Sequence, residues 1–118
     1  MAVRRDCPAD PAVAWAVQWV GPWLAAQGPA QVRQWAEARA DLATLLLGRF
    51  PPWMRRVALN HTPPAVRQAL AAAGPAQWRA VVDGLLARWP AIGVICWQHE
   101  AWFTAQLAAA RDRFLHPS

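Results

Sequence analysis

The stretch Gly74-Pro75-Ala76-Gln77-Trp78-Arg79-Ala80-Val81-Val82-Asp83-Gly84-Leu85-Leu86-Ala87-Arg88-Trp89-Pro90 decides the fold class. Trp78, Val81, Val82, Leu85 and Trp89 recur at helical period and line one side of a rod. Proline punctuates both ends. The fixed φ and missing N–H of Pro75 suit a first helical turn, Gly74 suits the end of the preceding helix, and Pro90 cannot continue the rod it closes.

The same punctuation extends outward along the chain. Gly28-Pro29 and Pro51-Pro52 read as further helix starts, and Thr62 is placed to cap a helix opening at Pro63-Pro64. The spacing predicts a first helix from Pro11 with Val13, Val17, Val20 and Leu24 on one side, kinked at Pro22. A second runs from Pro29 to Gly48, carrying Val32, Trp35, Leu42, Leu45 and Leu46. Short helices follow from Pro52 to Asn60 through Trp53, Met54, Val57 and Leu59, and from Pro63 to Ala73 on Val66 and Leu70. After Pro75–Arg88, a last helix runs from Ala91 to Leu115 on Ile92, Cys96, His99, Phe103, Leu107, Ala110 and Phe114. A short strand at Ile92–Trp97 is the alternative for the Val and Ile cluster there, but no second strand exists to pair with it. The expectation is an all-α protein, a single compact bundle of five or six helices over residues 1–118. Residues 1–10 form a flexible basic arm with Arg4 and Arg5, and residues 116–118 a frayed tail.

An internal echo accompanies this pattern. Gly28-Pro29-Ala30-Gln31-Val32-Arg33 matches Gly74-Pro75-Ala76-Gln77-Trp78-Arg79 at all but one position, and Leu46-Leu47-Gly48-Arg49-Phe50-Pro51 parallels Leu85-Leu86-Ala87-Arg88-Trp89-Pro90. A duplicated helix-hairpin unit and independent reuse of a Pro-started helix both account for it.

All twelve basic residues are Arg, against seven acids, giving a formal charge of +5; nine Trp and no Tyr complete an unusual composition. Arg pairs bidentately with phosphate or carboxylate and stacks on flat rings, while Trp offers a large rigid surface. Cys7 and Cys96 give neither a disulfide scaffold nor a zinc pattern. The apolar segment Ala12–Ala26 follows Arg4 and Arg5, but Asp6, Asp10, Gln18 and the Gly21-Pro22 break interrupt it, and it is too short to span a bilayer. The expected location is the cytoplasm, without a membrane partner.

Chemistry finds little support. His61, His99 and His116 lack metal-ligand spacing, and there is no phosphate-cradling Gly-rich loop and no carboxylate cluster. His99 beside Glu100 points elsewhere on a helix, and Cys96 three residues before His99 is the only formal thiol-imidazole pair. No catalytic residue, metal site or cofactor is assigned. A helix-turn-helix over residues 62–89 has suitable helix lengths, but its second helix is poor in base-reading groups.

The composition favours binding. Arg49, Arg55 and Arg56 surround Trp53 at a helix start, where like charge becomes useful if an anion binds. With Arg67 and Arg79 they form the candidate set for holding a nucleic-acid phosphate backbone, DNA or RNA, with Trp53 stacking on an unpaired base. Arg111 and Arg113 lie near a helix C-terminus, where positive charge needs no special role. In size, charge and expected helicity the chain resembles the small helical subunits of CRISPR effector complexes. That resemblance implies a noncatalytic accessory subunit lying along nucleic acid among other protein subunits. The alternative is a protein-binding adaptor or inhibitor without nucleic-acid contact, using Trp15, Trp19 and Trp23 as an exposed apolar patch.

Overall fold

Six of the helices begin on a proline, and the two that do not are the ones the sequence pattern ran into their neighbours. The computed structural model describes residues 10–116. The rod α1 comprises Pro11–Trp15, a π-helical segment Ala16–Val20 and Gly21–Gln27. After it come α2 (Pro29–Ala38), α3 (Leu42–Leu47), α4 (Pro52–Asn60), α5 (Pro64–Ala71), α6 (Pro75–Arg88), α7 (Pro90–Gln98) and α8 (Glu100–Leu115). The all-α expectation holds. The count of five or six helices does not: the described residues form eight, because the expected 29–48 and 91–115 helices are each broken. Ile92–Trp97 is helical within α7.

The first break follows Ala38. Arg39 enters the left-handed region at φ 55°, and Asp41 restarts the chain by accepting from the Thr44 N–H at 3.2 Å and the Thr44 hydroxyl at 2.7 Å. The second falls at His99, with φ −119° and ψ 43°. Neither contains Gly or Pro. Each instead answers the other: Arg39 reaches back to the Ala36 carbonyl at 3.1 Å and across to His99 Nδ1 at 3.3 Å. From α8, Trp102 Nε1 donates to the Ala40 carbonyl at 3.1 Å, Gln106 accepts from the Ala43 N–H at 3.2 Å, and Arg113 donates to the Thr44 hydroxyl at 2.7 Å. Backbone groups orphaned by a break must find partners, and here a distant helix supplies them.

The kink expected at Pro22 takes the form of the π segment. Pro22 has no N–H and its ring crowds the carbonyl four residues earlier; widening the coil so that Gly21 N–H bonds to Ala16 absorbs that conflict. Thr62, expected as an N-cap, donates instead to the Ala58 carbonyl at 2.7 Å, and Pro63 holds the cap position of α5. The two copies of the echo diverge at once. Gly28 has φ 91° and closes α1 through its N–H to Leu24, whereas the Gly74 N–H donates to the Gln77 side chain at 2.9 Å. Helix α2 then stops after 10 residues and α6 runs for 14, so the echo marks similar helix starts and not a repeated hairpin.

Both faces of α1 are covered: Val20 and Leu24 are buried, and so are Trp15 and Trp23. The rod is therefore central, packed by α6, α5 and α2. Trp15 meets Trp78 and Phe114 edge-on at 6.4 and 5.9 Å, Trp19 meets Phe114 and Phe50 at 5.1 and 4.8 Å, and Trp23 stacks on Trp35 at 5.4 Å. The α6 and α7 axes cross in backbone contact at Gly93, where a Cβ would lie 2.2 Å from the Leu86 Cα.

Candidate functional site

Between Asp41 and Asp83 the sequence carries five arginines and no carboxylate. These are the five proposed to hold phosphates, and the fold sends them to different ends. Arg55 is buried on the inner face of α4 and donates to the carbonyls of Leu47 and Phe50, closing the C-terminal end of α3. Burial pulls its guanidinium below the usual arginine range. Arg79 is exposed and pairs with Glu100 at 3.5 Å. Arg67 is half-buried in a cavity beside Trp15 and Trp19. Of the five, only Arg49 and Arg56 stand exposed without an ion pair to another described residue. The expectation for Arg55 is thus corrected: the carbonyls at the end of α3 need donors more than a surface anion does, and the favourable end of a helix dipole draws the cation inward.

Arg111, assigned no special role, is the other buried arginine. It crosses to the end of α5, donating to the carbonyls of Leu70, Ala71 and Ala73 at 2.8, 3.1 and 3.5 Å. Its Nε pairs with Asp112 at 2.6 Å, and its guanidinium lies 5.4 Å from the Trp78 ring centroid. Nothing in the sequence near position 111 announces this, because the partner carbonyls lie some 40 residues away.

Burial inverts the expected role of the tryptophans as well. Trp15 and Trp23 are core and Trp19 is half-buried against it, so the series presents no exposed patch. The tryptophans that face outward are Trp53, 60% exposed, and Trp97, 59% exposed. Turning Arg55 and Leu59 inward rolls α4 so that Trp53 and Val57, four residues apart, share its outer face; Val57 is 48% exposed. Arg56 is exposed on the same helix and Arg49 in the turn before it. On α7, Trp97 is joined by exposed Val94. The sequence did carry a signal for Trp97, which lies off the Ile92, Cys96, Phe103 stripe; for Val57 it carried none.

Cys96 is buried and its thiol is pushed up to about 12 by desolvation, while the His99 ring engages Arg39. Among the described residues no three His, Cys, Asp or Glu side chains gather where they could hold a metal ion. No described helix is long and apolar enough to cross a membrane. Arg4, Arg5 and Cys7 lie outside the described residues.

No family model, curated protein or solved structure matches the chain. What can be said of its role follows from the placement of its side chains.

Proposed function

We propose that the protein is a noncatalytic protein-binding adaptor whose contact surface is the outer face of α4. The observation that carries this reading is the Trp53–Val57 pair, exposed side by side on a helix whose surface charge is wholly positive. A Trp left in water is the residue type most often found at the centre of a binding hot spot, Val57 extends its apolar surface, and Arg at the edge adds a second favoured contact type. The acid-free segment favours as partner an acidic protein segment presenting an apolar ridge to Trp53 and carboxylates to Arg49 and Arg56.

A phosphate-binding role has less support. Of the five arginines, one is consumed in capping α3, one is paired with Glu100 and one is sunk in a cavity.

A photo-reactive side chain placed at position 53 tests the reading. It is expected to capture an acidic protein that, once purified, rebinds the unmodified chain and loses about thirtyfold in affinity to Trp53→Ala, with a further, salt-sensitive loss in Arg56→Glu. Capture of nucleic acid at position 53, or a captured protein that binds Trp53→Ala equally well, would overturn it.

A further inference from the structure

A cavity of about 300 Å³ lies between α1, α4, α5 and the end of α8. Its walls include Trp15, Trp19 and Phe114, and its polar groups include Arg67, His61 and Gln18. This is the composition of a small-molecule site: mostly apolar and aromatic, with a few polar groups to fix orientation. Two further observations fall at the same place. Gln18 and Trp19 belong to the π-helical segment, an irregularity that recurs at functional sites. Trp15, 94% buried (6% exposed), forms part of the same wall and joins it to the aromatic core through Trp78 and Phe114. Arg67, half-buried at the cavity, pairs with no carboxylate among the described residues.

We infer that this cavity binds a small monocarboxylate with an apolar or aromatic body. The body lies against Trp15, Trp19 and Phe114, and the carboxylate takes the Arg67 guanidinium. Arg67 in this setting offers the paired N–H groups that suit a planar carboxylate. At roughly 30 Å³ per non-hydrogen atom in a liquid-like packing, the volume suits a ligand of about ten such atoms, the size of phenylacetate. The inference is independent of the Trp53 surface, which lies on the outer face of α4.

The test uses the whole chain labelled with ¹⁵N, whose nine tryptophans give indole N–H signals; Trp15→Phe assigns the one in question. Phenylacetate, titrated to millimolar concentration, is expected to move the Trp15 signal, and 2-phenylethanol, which keeps the ring and loses the charge, to bind at least about tenfold more weakly. Arg67→Gln should weaken phenylacetate by about ten- to hundredfold and leave the alcohol unaffected. A Trp15 signal unmoved by phenylacetate overturns the inference, as does a shift that is the same in Arg67→Gln. Because Arg67 is only half-buried, that variant keeps the fold, and an unchanged spectrum away from the cavity verifies it.

Discussion

Arg111 and Arg55 are both buried, and both turn a guanidinium onto the carbonyls that end a helix, yet they are satisfied unequally. Arg111 has an acid on its Nε, three carbonyls on one Nη and an indole face beneath it. Arg55 has its two carbonyls, but its Nε is buried without a partner. The comparison separates two things a buried cation does. It can tie distant segments together at a net gain, or it can relieve orphaned backbone at nearly the cost of its own desolvation.

The largest expected effect is at Arg111. Arg111→Ala strands the carbonyls at the end of α5 and removes the aliphatic stem packed beside Trp78, so it should destabilise by about 3 kcal/mol, read as a lowered midpoint in urea. At Arg55, replacement by Met keeps most of the volume and removes the unpartnered Nε, for an expected loss of only about 1 kcal/mol. Equal losses in the two variants would erase the distinction. Acid titration offers a weaker probe of helix ends. The Asp41 carboxyl is held below its usual range, first by the Thr44 hydroxyl and then by the Thr44 N–H. A depressed carboxylate contributes stability above its unfolded pKa, near pH 4, and loses it as pH falls through its lower folded value. Asp41→Asn should therefore lower stability slightly at neutral pH, converge on the parent in acid, and so flatten part of the acid limb of the stability curve. Smallest of all, Trp53→Ala should leave thermal stability within about 0.5 kcal/mol of the parent, since that side chain packs on little; a large loss would show it to be structural.

Legibility followed punctuation. Pro11, Pro29, Pro52, Pro64, Pro75 and Pro90 each open a helix, as local backbone chemistry requires. The stripe through Trp78, Val81, Val82 and Leu85 is buried as its period predicts, and so is the one through Ile92, Cys96, Phe103, Leu107, Ala110 and Phe114. What period could not show was the pair of breaks at Arg39 and His99, because their partners are tertiary. The roll of α4 was hidden for the same reason: hydrophobicity ranks Trp53 and Val57 inside and Arg55 outside, but the demand of α3 for donors outweighs that ranking. The expected site set therefore lost Arg55 to the interior, while Val57 and Trp97 went unnamed.

The paired interruptions have a consequence for synthesis. The break at residues 39–41 is held locally by the Asp41 cap on Thr44 and by Arg39 on the Ala36 carbonyl, while the partners of Ala40, Ala43 and the Thr44 hydroxyl on Trp102, Gln106 and Arg113 leave the ribosome about 60 residues later. The last segment of the chain thus completes a bend whose local half is written into residues 36–44.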